Sequence, residues 1–340
     1  MNIKQMKKQF IKNKNRVINT SVIFVMMAMF TGCNNSSDSI PYNEIHYMSS
    51  DGNIVEYCTM DDPNIKVVSN TYENGKGIIK FKDDLKEIAG AAFGAYADTN
   101  KRLVSVDIPE SVVSIRSGAF MSCTNLSSVT IPNGVKEIWN DAFSGCTGLT
   151  SITIPNSVKK LKGWSTFSNC TNLVSIHLSD SITEIPDFTF TDCTSLSSIE
   201  IPDGVTKIGQ GAFRGCSSLS SVVISNSVTE IDTESFQDCS SLTSIIIPNG
   251  VIKIGRNVFN RCKSLESVTI GNNVKEIGAG AFFNCEKFTE MHFLCTTPPQ
   301  VDWFLFPTDF KKPTLYVPHG CKEVYSKHWY WKDFLRIIEE

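Results

Sequence analysis

The 340-residue chain lacks the short motifs that mark common enzyme sites. It has no G-x-S-x-G nucleophile elbow, no H-E-x-x-H metal-binding helix and no Walker phosphate loop. None of its 12 cysteines forms a C-x-x-C pair, so the usual zinc-ligand spacing is missing as well. We therefore predict no catalytic residues, no metal site and no cofactor.

The chain also lacks an apolar run long enough for a membrane-spanning helix, which takes about 20 residues. The apolar run at 21–30 is short, and it follows a segment with six Lys or Arg and no acid in the first 16 residues. This arrangement indicates an export signal. The small residues before Cys33 resemble a bacterial lipobox, so we predict removal of residues 1–32 and lipidation of Cys33. The alternative is an ordinary signal peptide that leaves Cys33 as a free thiol.

Basic residues are scarce in the predicted mature chain. Without residues 1–32 it keeps 26 Lys and Arg against 35 Asp and Glu, a formal charge of −9. Nucleic acid selects basic patches, so we predict no nucleic-acid partner. The polar residues 33–40 predict a flexible tether, and the lipid anchor is the only membrane contact that we expect.

A repeat of about 23 residues dominates the rest of the sequence. Each copy has a Phe three residues before a Cys and an apolar residue three residues after it. The eight cysteines are spaced by 23 residues, with one spacing of 24: Cys123, Cys146, Cys170, Cys193, Cys216, Cys239, Cys262 and Cys285. Cysteines one full repeat apart fit buried free thiols better than a disulfide framework.

Each repeat continues with an alternating apolar pair, such as Val129 with Ile131. A period of two over so few residues predicts a short strand with one buried face. Pro132-Asn133-Gly134 and its equivalents then predict a turn, because proline cannot extend the ladder and Asn and Gly accept turn dihedrals. The chain returns through apolar residues to the next Phe, so one repeat forms one coil.

The unit L-x-S-I-x-I-P-x-x-V-x-x-I-x-x-x-A-F-x-x-C-x-x resembles the BspA-like leucine-rich repeats of bacterial surface antigens. The resemblance covers roughly residues 41–340. It implies a right-handed solenoid with short parallel β-strands and about nine repeats. We expect an N-terminal cap at 41–85, the solenoid at 86–294 and a C-terminal cap at 295–340. The resemblance also implies an adhesin-like protein on the cell surface, with an extracellular or host protein as its partner.

Two outward columns are predicted on the strands. A nearly uniform serine column, from Ser105 to Ser267, suggests hydrogen bonds along the ladder. The second column varies between repeats and is our candidate binding surface: Asp107, Thr130, Thr153, His177, Glu200, Val223, Ile246, Thr269 and His292. Val223 and Ile246 predict a small exposed apolar spot. His177 and Glu200 resemble parts of a catalytic triad, but an open sheet offers no oxyanion site, so we favour chance adjacency.

The C-terminal segment is rich in aromatic residues. Trp329 and Trp331 could form a platform for glycan rings, so a glycan-binding accessory protein is our alternative function. The simpler interpretation is that these rings seal the last coil. Cys295 and Cys321 lie outside the cysteine column, and the sequence leaves open whether they pair.

Overall fold

The structure, a computed structural model, describes residues 39–59, 62–94, 101–307, 313–334 and 336–340. The predicted export signal, Cys33 and most of the predicted tether lie outside these residues. Ile40–Glu339 form one compact unit. In the described ranges, no helix has the length and apolar character that a bilayer crossing requires.

The coils are built from two sets of strands. The first set, which we call the front strands, begins two residues after the buried leucine in the coils from β7 to β19. They are β5 (Leu103–Asp107), β7 (Ser128–Thr130), β9 (Ser151–Thr153), β11 (Ser175–His177), β13 (Ser198–Glu200), β15 (Ser221–Val223), β17 (Ser244–Ile247), β19 (Ser267–Ile270), β21 (Glu290–Phe293), β23 (Thr314–Val317) and β24 (Ile337–Glu339). They pair in parallel, with interruptions between β7 and β9, β11 and β13, and β15 and β17.

The second set, the return strands, has two residues per strand. They are β4 (Glu87–Ile88), β6 (Ser114–Ile115), β8 (Glu137–Ile138), β10 (Lys160–Leu161), β12 (Glu184–Ile185), β14 (Lys207–Ile208), β16 (Glu230–Ile231), β18 (Lys253–Ile254), β20 (Glu276–Ile277) and β22 (Gln300–Val301). These strands also pair in parallel from coil to coil, with one interruption between β10 and β12. The predicted solenoid is therefore confirmed, with about ten turns in the described residues.

A continuous stack of phenylalanine rings forms the centre of the solenoid. From Phe93 to Phe282, successive rings lie 5.1–5.7 Å apart at interplanar angles of 3–14°. All nine rings are fully buried. Because each ring contacts the rings above and below it, the hydrophobic contacts of one coil are completed only by its neighbours. The stack spans all three interruptions of the front ladder.

The eight cysteines form a second buried column, as the sequence predicts, and all are free thiols. Each thiol donates to the carbonyl of the phenylalanine one coil earlier; Cys216, for example, bonds to Phe190 at 3.1 Å. Burial raises the pKa of every thiol in this column, to about 12 for Cys170 and Cys285. The column therefore holds neutral thiols that tie consecutive coils together.

In each coil, the residue two positions before the stacked phenylalanine has a left-handed backbone conformation. Gly211 and Gly280, two residues before Phe213 and Phe282, have φ angles of +57° and +69°. Both glycines are turn residues, since glycine adopts positive φ without a steric cost. Other coils place Gly118 or a non-glycine residue (Ala, Asp, Ser, Asn, Glu or Phe) at the same point.

An antiparallel sheet covers the N-terminal coil. It contains β1 (Glu44–Ser49), β2 (Val67–Glu73) and β3 (Lys76–Phe81), in the order β2-β3-β1, with β1 antiparallel to β5. Tyr57 packs edge-on against Phe93, with ring centroids 5.2 Å apart, and so ends the phenylalanine stack. Its hydroxyl accepts the backbone N–H of Ala89.

Aromatic side chains cover the C-terminal coil. Here the chain adds a six-residue helix, α1 (Lys322–Lys327), and a 3₁₀ turn at Trp331–Asp333. Trp331 packs against Phe293 and donates its indole N–H to the carbonyl of Pro299 at 3.0 Å. Cys295 and Cys321 are free and buried. The Cys295 thiol lies 3.3 Å from the hydroxyl of Tyr325.

Candidate interaction surface

The front strands bring the predicted variable column together on one outward face. Their parallel register sets Asp107 beside Thr130, and Thr153 beside His177. It likewise sets Glu200 beside Val223, and it places Ile246, Thr269 and His292 in one row. The seven positions from Asp107 to Ile246 are exposed, while Thr269 and His292 are half-buried. Alternation along each strand explains this placement, because the residues on either side face the core.

The serine column lies beside the variable column and also faces outward. In the part of the chain that the structure describes, no hydrogen bond joins the hydroxyls from Ser105 to Ser267, so the predicted serine ladder is wrong. Other hydroxyls donate to the backbone of the previous coil instead; Ser220, directly before Ser221, donates to the carbonyl of Ser197, and Ser240 donates to that of Ser217. The outward serines therefore form a surface of short side chains whose hydroxyls face solvent.

The variable column extends further than the sequence analysis placed it. Tyr316 on β23 lies beside His292, and their rings stack at 4.3 Å with an interplanar angle of 3°. His46 on β1 lies opposite Asp107 at the other end. The alternation in Leu315-Tyr316-Val317 could have identified Tyr316. His46 had no such signal, because its strand runs antiparallel and outside the repeat.

The structure does not assemble a catalytic pair from His177 and Glu200. Both side chains are exposed on consecutive front strands. Among the described residues, no hydrogen bond or ion pair links them. The described residues also contain no cluster of three or more His, Cys, Asp or Glu that could hold a metal ion. Val223 and Ile246 do form the predicted apolar spot, with 41% and 54% of their surfaces exposed.

The predicted glycan platform is only partly exposed. Trp331 is fully buried, and its indole N–H is engaged by Pro299. Trp329 remains exposed, as do Trp303 and Phe304 in the loop after β22. One of the two predicted tryptophans therefore seals the last coil, and only the other faces solvent.

Comparison with protein families decides what these coils are. Six copies of the family described as BspA type leucine rich repeat region match the chain, over residues 55–170, 91–217 and 163–289. The chain belongs to this family. The matched residues run from 55, between β1 and β2, to 289, seven residues after the last phenylalanine of the stack.

The chain is also similar to solved structures, and the first of those described here shows the same fold. A leucine-rich repeat protein from Bacteroides ovatus is 23% identical, with a TM-score of 0.51, over 78% of this chain and 72% of that chain. A leucine rich repeat protein from T. pallidum is 31% identical, with a TM-score of 0.43, over 59% of this chain and 90% of that one. The pneumococcal vaccine antigen PcpA is 18% identical, with a TM-score of 0.40, over 85% and 99%. No curated protein sequence matches the chain significantly.

Proposed function

We propose that this BspA-type protein is a lipid-anchored surface protein that binds extracellular or host proteins through its front strands. The observation that carries the proposal is the outward column from Asp107 to His292, which varies while the positions around it repeat. On a repeat scaffold, the positions that recur in every repeat build the core, and the extended outer surface is free for binding. The serine side chains beside this column are short, so a partner can approach the sheet closely.

The proposed role is binding and not catalysis. His177 and Glu200 are open to solvent and are not joined to each other, whereas a catalytic pair needs mutual contact and a site that excludes water. A broad sheet face instead suits a protein partner, since stable protein interfaces bury about 800 Å² on each side.

The experiment is a binding screen with residues 34–340, the mature chain without its lipidated Cys33. Matrix proteins such as collagens, laminin and fibrinogen are immobilised, and the chain is titrated over each surface and over whole host and bacterial cells. The proposal expects saturable binding to at least one of them. Binding that never saturates, or no binding to any surface, would remove the proposed function.

Glycan binding is the second candidate function, and the exposed rings of Trp303, Phe304 and Trp329 favour it. Exposed aromatic faces of this kind stack on apolar faces of sugar rings. Trp329→Ala and Trp303→Ala should each weaken binding on a glycan array, while Trp331→Ala should act only through stability. Glycan binding that survives both exposed-site substitutions contradicts this candidate.

A further inference from the structure

Charge is divided unequally between the two halves of each coil. We define the strand half as the ten residues that contain one of the nine front strands from β5 to β21 and the segment after it. In nine coils the strand halves are 103–112, 126–135, 149–158, 173–182, 196–205, 219–228, 242–251, 265–274 and 288–297. These 90 residues contain seven acids and no Lys or Arg. The acids are Asp107, Glu110, Asp180, Glu200, Asp203, Glu266 and Glu290.

The return halves between these segments are different. They contain 13 Lys or Arg and 11 acids. Many of these charges are paired; Lys207 lies 2.8 Å from Asp232, and Lys162 lies 2.7 Å from Glu137. Lys162 and Arg116 also flank the ring of Trp139. The return half is therefore close to neutral and internally compensated.

The seven acids of the strand halves have no such compensation. All seven are exposed. Within the described residues, none forms an ion pair with Lys or Arg; Glu290 is paired only with His292 on its own strand. Asp203 accepts a hydrogen bond from Ser225, which leaves its charge intact. The front of the solenoid is thus an anionic face, with rungs about 4.8 Å apart.

The exposed apolar spot lies inside this anionic face. Glu200 is directly beside Val223 in the sheet, and Ile246 follows on the next coil. Thr269 and His292 continue the row toward Glu290. The neighbouring Ser221 and Ser244 are small, so they do not shield the two apolar side chains. An apolar spot with Glu200 beside it and further acids on neighbouring coils is typical of a binding surface whose polar rim selects the partner.

We propose that the strand half docks a cationic protein segment, with Lys or Arg side chains around one apolar side chain that packs on Val223 and Ile246. This inference rests on the proposed binding function and specifies its surface and partner. Complementary charge accelerates encounter and disfavours wrong partners. The same face repels anionic occupants such as nucleic acid and acidic lipid headgroups.

The test uses a synthetic peptide of alternating Lys and Leu and a second peptide with Glu in place of Lys. Binding to the mature chain is measured at about 0.05 M and 0.3 M salt, because screening shortens the range of the surface charges. The Lys peptide should bind saturably, and more weakly at the higher salt concentration. The Glu peptide should not bind.

Matched variants locate the binding surface. Glu200→Lys changes the strand half, and Glu286→Lys makes the same charge change at an exposed position of the return half. Ile246→Ser removes part of the apolar spot, and Ile252→Ser is its control, since Ile252 is 45% exposed on the return half. Both strand-half variants should lose about tenfold in affinity, and both controls should stay within about twofold. Circular dichroism confirms folding of all four.

The outcomes separate this inference from the proposed function. Equal effects of a variant and its control, or equal binding of the two peptides, would overturn the docking surface. Any matrix protein that binds in the screen is measured with the same four variants. If all four variants bind that matrix protein with the affinity of the wild type, the docking surface is overturned and the proposed binding function still stands. A screen without any bound matrix protein removes the proposed function even if the peptides behave as expected.

Discussion

At the residue scale, side chains of one coil form hydrogen bonds with backbone groups of the coil before it. The cysteine thiol of each coil donates to the carbonyl of the stacked phenylalanine one coil earlier, at 3.0–3.2 Å. Burial raises the thiol pKa and keeps the group neutral. The cysteine column is therefore structural, and its regular spacing comes from the coil and not from redox chemistry.

Thiol reactivity tests this interpretation. In the mature chain, the eight column thiols should react with Ellman's reagent at least about a hundredfold more slowly than Cys58. Cys58 is partly exposed, whereas the column thiols react only after local opening. Denaturant should abolish the difference. Fast reaction of column thiols in the folded protein would show that the column is open to solvent.

We expect His328 to make the C-terminal segment sensitive to acid. Its Nδ1 accepts the N–H of Tyr330, while its buried Nε2 has no hydrogen-bond partner in the described structure. Burial lowers the pKa of His328. The unfolded chain then takes up a proton near pH 6.5 that the folded chain resists, so the free energy of unfolding falls as pH drops through this range.

We expect His328→Gln to reduce this pH dependence. Denaturant unfolding of the wild type should weaken between pH 7.5 and 5.5, and the variant should weaken less over the same interval. The comparison uses the change with pH, so a constant stability difference between the proteins does not affect it. Identical pH dependence in both would contradict the assignment to His328.

At the scale of elements, the sequence predicted the strand, the turn and the buried columns because they repeat with fixed offsets. Positions that depend on a neighbouring coil were harder to predict. Gly211 has positive φ, and a Cβ atom there would lie 2.7 Å from the ring of Phe188 in the previous coil. The serine hydroxyls likewise have partners or lack them according to where adjacent coils place their carbonyls. Neither the contact at Gly211 nor the partners of the serine hydroxyls can be predicted from the sequence of a single repeat.

Gly211→Ala and Gly75→Ala separate backbone conformation from contact. Both glycines have positive φ, which costs an L-residue about 1–2 kcal/mol. Only Gly211 has a neighbouring ring; a Cβ at Gly75 meets nothing within 4 Å. Gly211→Ala should therefore lower the free energy of unfolding by more than Gly75→Ala, as measured by urea denaturation. Equal losses would show that the Phe188 ring moves aside freely.

At the scale of the whole molecule, the fold and the position of the candidate surface followed from the repeat, while the identity of the partner did not. The register of the front strands depends on the core, and many sequences of outward residues are compatible with the same core. Only the unequal division of charge between the strand halves and the return halves narrows the choice of partner. It emerges when the coils are stacked, since the seven acids are far apart in sequence and share one face.

The predicted anchor is a further property of the whole molecule. Cys33→Ser should release the protein from the membrane fraction when the full chain is expressed in a bacterium with a lipoprotein pathway, because the acylated thiol is lost. Mass spectrometry of the wild-type protein should find a lipidated N-terminal Cys33. A Cys33→Ser variant that remains in the membrane fraction would contradict lipid anchoring.

The central claim is that the front strands contact the bound protein. A photo-crosslinking side chain placed at position 246 or at position 252 tests it directly, with a matrix protein that binds in the screen. The account predicts crosslinks from position 246 and none from position 252. Crosslinks from position 252 alone, or equal yields from both positions, would contradict it.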